Sequence, residues 1–400
     1  MSSDPQGSGG DPSPQRRDVA FWSYALHLWA IWGLAISNVF MGVSALAVIA
    51  DRARGGARVA MPRRLLRPLV VFVLVFVASA AFSYEPRTSV ARLGEILSLL
   101  PLLLTVVLVR DEARARLVVR GLIVMGALIA GLGLAQVVAG AAGVEVGRRI
   151  PGPFSHYQTF AGVLLLCGAL TFARLVVSGR PWREPGTLAA AALLAAALSL
   201  NLTRGSWVAL AAALVFLLAV RRPRHLLWVA PATIALALLL PAPVRARVVS
   251  IFDLRDESNY DRLCMIDAGL RMVAERPFLG LGPGVVETRY ALYRHPTAPR
   301  DQRPHLHNSY LQLAAERGLL SVAAFVGLLG ASFVESLRNY RRDGGALGAR
   351  ADLHLGVAAA LVAYTLAAFF EDNWADTEVQ RIALFVIALP FCLDPPSADP

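Results

Sequence analysis

Long apolar runs alternate with short polar segments along most of the 400-residue chain. A membrane-crossing helix needs about 20 apolar residues, and we expect one wherever a run of that length is bounded by charge. The block 21–50 is longer, roughly 45 Å as a single helix. It either crosses twice, with a break at Ser37 and Asn38, or crosses once at a tilt. The other predicted spans are 67–84, 91–109, 118–140, 157–178, 187–201, 205–220, 225–242, 309–335, 356–370 and 378–393.

The arginines predict the orientation of these spans. Loops rich in Arg stay on the cytoplasmic side of a bacterial membrane. Five alternate loops together hold 20 Arg, whereas the short loops between them hold 5. The Arg-rich loops are therefore predicted to be cytoplasmic, and two crossings by 21–50 would place both termini there. The Arg-rich loops are 51–67, 110–120, 174–183, 221–224 and 338–350.

These patterns predict an all-α fold, a polytopic membrane helix bundle of about 12 transmembrane helices with a long periplasmic helical loop. Residues 1–18 are rich in Ser, Gly, Pro and Asp, and we expect a disordered cytoplasmic tail there. An N-terminal transmembrane bundle over 19–242 is expected to precede a periplasmic loop with amphipathic helices over 243–308. Residues 309–400 are expected to form C-terminal transmembrane helices and a short tail.

Composition supports the membrane assignment and excludes other classes. The chain is 56% hydrophobic and 17% charged, with a mean hydropathy of +0.54, which is too apolar for a soluble core. The net charge of +11 comes from loop arginines that orientation explains, so no nucleic-acid partner is expected. Three widely spaced cysteines indicate neither a disulfide framework nor a zinc site. A phosphate-binding loop and a His-Glu-x-x-His motif are both absent.

Arginines stand out on the predicted periplasmic face. Arg204 lies in a very short turn between two spans, where a guanidinium must snorkel or bind an anion. An amphipathic helix is predicted over 260–275, with its apolar positions at helical spacing. On this helix Arg262 is a candidate phosphate clamp, and Arg271 is a further candidate. The helix's apolar positions are Leu263, Ile266, Leu270 and Val273.

Two histidines and an acidic turn complete the candidate chemistry. His307 stands at the entry to the span 309–335, where Asn308 or Ser309 can cap the helix. Imidazole is suited to proton transfer near neutral pH. The acidic turn 370–376, on the same face, could pair with the arginines or bind sugar hydroxyls. We expect substrate contacts from His305, Arg303, Asn308, Arg271, Glu371, Asp372 and Arg149.

Several of these motifs resemble those of the O-antigen ligase and polymerase superfamily, bacterial membrane glycosyltransferases that use lipid-diphosphate-linked glycans. The resemblance rests on the His-Asn-x-Tyr-Leu run that begins at His307 and on the ten residues between His307 and Gly318. The preceding Pro-Phe-Leu-Gly-Leu-Gly-Pro-Gly turn, the Thr-Arg-Gly at 203–205, Arg262 and the turn 370–376 also fit. These motifs occur in the family's order and cover about 150–390.

The resemblance implies a fold like the GT-C class of membrane glycosyltransferases. It also implies that Arg204 and Arg262 hold the diphosphate of an undecaprenyl-linked donor, and that His307 activates the acceptor hydroxyl. His305 could share or replace that role. Two fixed arginines would stabilise the charge on the leaving diphosphate, so neither a metal ion nor a cofactor is expected. One displacement at the anomeric carbon predicts inversion.

We therefore expect an O-antigen ligase-type glycosyltransferase in the bacterial inner membrane, with its active face periplasmic. Its expected donor is a glycan on undecaprenyl diphosphate, and its expected acceptor is lipid A-core or a similar glycan. A polymerase that extends lipid-linked repeats is the first alternative. An anion transporter is a more distant one, because transporters place charge at mid-membrane, whereas these charges lie at the membrane edge.

Overall fold

Helices form the whole architecture that the structure, a computed structural model, describes. The described residues are 14–56, 59–139, 149–231, 253 and 256–393, and no β-strand occurs among them. Short 3₁₀ segments connect several of the helices, the longest being Arg92–Leu99. The helices are α1 (Pro14–Trp29), α2 (Leu34–Ala53), α3 (Arg63–Ala81), α4 (Pro86–Ala91), α5 (Leu100–Leu108), α6 (Glu112–Val138), α7 (Tyr157–Ser178), α8 (Pro185–Leu200), α9 (Arg204–Arg221), α10 (Glu257–Glu275), α11 (Val285–Tyr293), α12 (Ser309–Arg342), α13 (Ala351–Ala367) and α14 (Thr377–Ala388).

The prediction of a polytopic all-α membrane protein is confirmed. Seven described helical segments are long and apolar enough to cross a membrane, namely α2, α3, α6, α7, α9, α12 and the continuous segment Pro86–Leu108. The apolar helices α8 and α13 are shorter. The described helices do not establish a count of twelve spans. Most of the predicted span 225–242, and the beginning of the predicted loop 243–308, lie outside the described residues.

The N-terminal block 21–50 forms two antiparallel helices, as two crossings would require. The chain reverses at 30–33, so the predicted break at Ser37 and Asn38 is wrong. Both residues lie inside α2, where the Ser37 hydroxyl donates to the His27 carbonyl (2.8 Å) and Arg381 donates to both side chains. These polar groups therefore bind a buried arginine without interrupting the helix. Helix α1 already begins at Pro14, within the predicted tail 1–18.

The bundle has two chemically different ends. At one end, ion pairs connect Arg-rich segments, as between Arg64 and Glu335 (2.9 Å) and between Arg116 and Asp352 (2.9 Å). At the opposite end lie the first residues of α7, α9, α12 and α14, together with the last residues of α13. Helices α7 and α13 are largely buried and pack against each other. The start of α7 and the end of α13 lie at the end of the bundle that carries the candidate site.

At a glycine kink, α12 accepts backbone hydrogen bonds from the segment that precedes α11. Gly318 has non-helical torsion angles (φ 77°, ψ 171°), which only glycine adopts without strain. The interruption leaves the carbonyls of Ala315 and Glu316 free to accept from the backbone amides of Leu281 (2.8 Å) and Gly282 (2.9 Å). The Gly-rich turn 277–284 is therefore fixed to α12 about three helical turns from His307.

The predicted amphipathic helix 260–275 is confirmed as α10, which begins slightly earlier at Glu257. The predicted apolar positions Leu263, Ile266 and Leu270 are exposed (39–57%). The buried face is instead formed by Cys264, Met265, Ala268, Gly269 and Met272, which include the residues that pack against α12 and α11. Helix α10 therefore presents one apolar face to the protein and leaves a second one exposed.

Candidate active site

His307 and Glu371 meet at the end of the bundle that lies opposite the Arg-rich loops. His307 immediately precedes α12, whose first turn is capped by Asn308 through a hydrogen bond from the Leu311 amide (3.0 Å). The Ser309 amide donates to the Ala368 carbonyl at the end of α13 (2.8 Å). Because Glu371 comes three residues after Ala368, this contact places the carboxylate beside the histidine.

The contact between them defines the state of the imidazole. His307 Nδ1 lies 2.9 Å from each Glu371 carboxylate oxygen. An ionised carboxylate only accepts hydrogen bonds, so Nδ1 carries a proton, and in the neutral ring Nε2 then has a free lone pair. Burial raises the pKa of Glu371, but the hydrogen bond and charge of His307 outweigh it, and the pKa lies below its usual value. The pair therefore combines an ionised carboxylate with an imidazole whose Nε2 can accept a proton when the ring is neutral.

The backbone at His307 is in the left-handed region (φ 49°), which is rare for a residue with a side chain. Such a conformation costs of order 1–3 kcal/mol and persists only where neighbouring contacts hold it. Here Glu371 and, at 3.4 Å from Nδ1, the Gln158 side chain are those contacts. The site therefore maintains a strained backbone in order to aim this imidazole.

His305 adds a second imidazole. Its ring centroid lies 4.3 Å from that of His307, and its Nδ1 lies 3.7 Å from Glu371. Burial, assisted by the charge of His307, lowers the pKa of His305 to about 4. His305 is therefore neutral near pH 7. Ligand atoms of His305, His307 and Glu371 lie within 4.8 Å of one another, so these three could hold a metal ion.

A basic cavity of about 460 Å³ opens beside His307. Arg262 projects into it from the first half of α10, and no ion pair or hydrogen bond joins Arg262 to any other described residue. Burial lowers the pKa of Arg262, with the nearby Glu371 charge acting in the opposite direction, but an arginine stays protonated in proteins. The cavity thus contains a charge that lacks a direct partner within the described part of the chain. Further arginines in its lining are Arg149, Arg300 and Arg303.

Arg204 lies next to this cavity but is not among its lining residues. Its side chain is 6% exposed and donates to Asn259 (2.6 Å) and Asp256 (3.3 Å) in the first turn of α10. The adjacent Gly205 touches the acidic turn, because an added Cβ there would lie 2.5 Å from Phe370 Cβ. The Thr-Arg-Gly motif therefore connects the start of α9 to both α10 and the 370–376 turn.

The other predicted contacts divide into two groups. Arg149 lines the cavity and stacks on Tyr157 (4.5 Å from guanidinium carbon to ring centroid), and Arg303 lines it while paired with Asp261. Arg271 lies nine residues after Arg262 and so occupies the opposite face of α10. It pairs there with Asp267 (2.9 Å). The structure therefore does not bring Arg271 to the cavity.

Two residues that were predicted to contact substrate, Asn308 and Asp372, are part of the protein's own packing. The Asn308 side chain caps α12. Asp372 is buried, and burial raises its pKa to about 6. Sequence reasoning missed Arg300 and Gln158, both of which line the cavity. The Arg-rich run at 294–303 was a signal for the first, whereas nothing in the sequence around Gln158 indicated its contact with a histidine 149 residues away.

Comparison with known families finds a match to part of the chain. Residues 189–326 match the family described as O-antigen ligase, a range that contains Arg204, Arg262, His307 and Gly318. No curated protein matches the chain. The family supports an O-antigen ligase or polymerase type of activity in a multi-pass membrane protein with glycan or lipid-linked substrates. The resemblance to the O-antigen ligase and polymerase superfamily is thus confirmed over residues 189–326.

Proposed function

We propose that this protein is an O-antigen ligase-type glycosyltransferase that moves a glycan from undecaprenyl diphosphate to lipid A-core or a similar acceptor. The observation that carries the proposal is Arg262, which no ion pair or hydrogen bond joins to another described residue, in a cavity that is also lined by His307. An enzyme of this kind needs an anion site for the diphosphate beside a base for the hydroxyl. The cavity combines both within one end of the bundle.

The diphosphate is assigned to the basic cavity. Its four lining arginines come from three separate parts of the chain, namely the segment before α7, helix α10 and the loop before α12. A guanidinium fork matches phosphate oxygens in two-point hydrogen bonds. As the sugar–oxygen bond breaks, negative charge grows on the leaving diphosphate, and Arg262 stabilises it where water is scarce.

His307 is assigned as the general base. Nε2 takes the proton of the acceptor hydroxyl while that oxygen bonds to the anomeric carbon and the diphosphate leaves with the former bonding electrons. Glu371 keeps the imidazole in the correct tautomer and stabilises the cation that forms, as a carboxylate does in a catalytic triad. A single displacement inverts the anomeric configuration. The arginines supply the charge stabilisation, so the mechanism includes no metal step.

Arg204 is proposed as the second diphosphate clamp. In the present contacts it holds the first turn of α10, and therefore the helix that carries Arg262. Both roles predict inactivity after its removal. They differ in that loss of the α10 contact also displaces Arg262, whereas loss of a clamp alone leaves the helix in place.

The active face is proposed to be periplasmic. The site lies at the end opposite the Arg-rich loops, and such loops stay in the cytoplasm. The inner membrane of a bacterium is the proposed location for the same reason. A topology reporter fused after residue 10 is expected to score cytoplasmic, and a periplasmic score would contradict two crossings by 21–50.

The test uses membranes from a deletion strain that carries wild-type or variant protein at matched levels. His307→Ala, Arg262→Ala and Arg204→Ala are each expected to abolish glycan transfer to purified lipid A-core. His295→Ala and the exposed Arg87→Ala remove the same side chains outside the cavity and are the matched controls. Retained transfer in all three variants would refute the mechanism. Growth of lipid-linked repeats would identify a polymerase, and wild-type anion uptake without transfer would identify a transporter.

A further inference from the structure

A second cavity of about 410 Å³ lies on the other side of the two histidines. It is bounded by the 3₁₀ segment Arg92–Leu99, the first turns of α12, the acidic turn 370–376 and the start of α14. His305 contributes to its lining, whereas His307 lines the basic cavity. Because the two rings are 4.3 Å apart, the cavities meet at this pair of imidazoles.

Three largely buried residues with polar side chains line the second cavity. Gln312, Trp374 and Gln380 are all at least nine-tenths buried and line it. Among described residues, the side-chain amide of Gln380 and the indole N–H of Trp374 form no hydrogen bond. Gln312 accepts from the Leu306 amide (2.9 Å), which leaves its own NH₂ group available. These groups line the cavity and can therefore bind a ligand that offers several acceptors and donors.

The charges of this cavity disfavour a phosphate. Its two arginines are already paired, Arg317 with Glu95 (2.7 Å) and Arg92 with Glu287 (3.0 Å). Two further carboxyl groups, Glu316 and Asp372, are buried in the lining. Carboxylates accept hydrogen bonds from hydroxyls and repel anions. The lining therefore suits an uncharged ligand rich in hydroxyl groups.

The geometry of a single displacement leads to the same conclusion. The attacking oxygen and the leaving diphosphate must approach the anomeric carbon from opposite sides. If the diphosphate occupies the basic cavity, the acceptor has to enter from beyond the two histidines. The second cavity lies there and contains groups that fit sugar hydroxyls.

We propose that the second cavity is the binding site of the acceptor sugar, with Gln312, Trp374 and Gln380 as donors and Glu316 and Asp372 as acceptors. This inference rests on the proposed function, because it assumes that a glycan acceptor exists. His305, neutral and at the junction of the cavities, orients the acceptor hydroxyl toward His307. The acceptor specificity of the enzyme is therefore set by the acidic turn and the start of α14, and not by the basic cavity.

A protection experiment tests this assignment without turnover. The native cysteines 167, 264 and 392 are buried, so the full-length Gln380→Cys and Arg300→Cys variants each report one cavity to a water-soluble thiol reagent. Deacylated core oligosaccharide is expected to slow labelling at position 380 and not at 300. Inorganic pyrophosphate is expected to do the reverse. Protection of position 380 by pyrophosphate, or of 300 alone by the oligosaccharide, would overturn the proposal.

A kinetic experiment separates this inference from the proposed function. Gln380→Ala is expected to raise the KM for the acceptor about three- to tenfold, the value of one or two hydrogen bonds, with the KM for the donor unchanged. The exposed Gln302→Ala is the control. An unchanged acceptor KM refutes the acceptor site while transfer itself continues. Absence of transfer in the wild-type protein refutes the proposed function instead, and the labelling pattern still decides whether the cavity binds a glycan.

Discussion

The most demanding prediction concerns the carboxylate beside the proposed base. Glu371→Gln preserves the size and one acceptor oxygen of a side chain that is only 13% exposed. It removes the negative charge and introduces an NH₂ group that can face His307 Nδ1. When the NH₂ group faces Nδ1, that nitrogen accepts, the proton moves to Nε2, and the lone pair that should receive the hydroxyl proton is lost. The substitution therefore impairs the base without emptying the site.

The expected size of the effect follows from the two 2.9 Å contacts. A hydrogen bond to a charged group contributes about 1.5–3 kcal/mol, which corresponds to a loss in kcat of about 10- to 150-fold. General base catalysis as a whole contributes about 10²- to 10⁴-fold, so His307→Ala should lose more. Since Glu371 acts through His307, adding Glu371→Gln to His307→Ala should cost nothing further.

The assay measures initial rates of glycan transfer by purified protein in nanodiscs, at saturating donor and acceptor. Glu275→Gln, in an exposed residue at the end of α10, is the matched control and should behave as wild type. The KM values should change little, because Glu371 is assigned to the base and not to either substrate. A kcat for Glu371→Gln close to that of wild type would refute the reasoning. So would losses that add in the double variant, because they would mean that the two residues act separately.

Three further predictions test other parts of the site. Arg262→Ala should lower kcat about 10²- to 10³-fold, as loss of a transition-state donor does, whereas Arg271→Ala should stay within about twofold; equal losses would mean that both faces of α10 bind substrate. Transfer should persist in EDTA, and activity lost there but restored by Zn²⁺ or Mn²⁺ would make the His–His–Glu371 cluster a metal site. The pKa of Asp372 is raised from 3.8 to about 6, so its stabilising contribution is complete below pH 3.8 and is lost as pH rises through 6. Asp372→Asn should therefore increase the free energy of unfolding at pH 7.5 by up to about 3 kcal/mol, with no gain below pH 4. The measurement is denaturation in detergent. An equal gain at both pH values would refute this link between protonation and stability.

Hydropathy predicted most of the helices because lipid leaves the backbone few alternatives. A segment in hydrocarbon must satisfy its own N–H and C=O groups, so an apolar run of sufficient length becomes a helix. The predicted span 157–178 coincides with α7, and 187–201 differs from α8 by two residues at its start and one at its end. Helix existence thus depends on local sequence, which can be read directly.

The direction in which an apolar face points could not be predicted in the same way. Leu263, Ile266 and Leu270 satisfy the helical period, yet the face of α10 that packs against the protein contains Met265 and Met272. Hydropathy does not distinguish an apolar protein neighbour from lipid or a membrane surface. Only the packing of α10 against α12 decides which of its two apolar faces is buried.

The candidate site shows the same limit at the level of chemistry. The sequence indicated Arg262, His307 and Glu371 as functional, and the structure brings them together at one end of the bundle. The sequence did not indicate that Glu371 would contact the imidazole of His307, which lies 64 residues away in the chain. That contact requires the last turn of α13 to meet the first residue of α12, which the Ser309–Ala368 hydrogen bond achieves. The residue types were visible in the sequence, but their pairing depends on tertiary packing.

The ten-residue spacing between His307 and Gly318 has a physical explanation in these contacts. An uninterrupted α12 would use the carbonyls of Ala315 and Glu316 within the helix, and a Cβ at position 318 would lie 2.0 Å from the Phe278 carbonyl oxygen. Glycine removes both obstacles and lets the turn 277–284 attach to α12 by backbone hydrogen bonds. That turn follows α10 directly, so the attachment fixes the C-terminal end of the helix that carries Arg262, while Asn308 fixes the start of the helix that follows His307. The spacing therefore sets the distance between the anion site and the base, and a change of one residue would rotate α12 by about 100° and separate them.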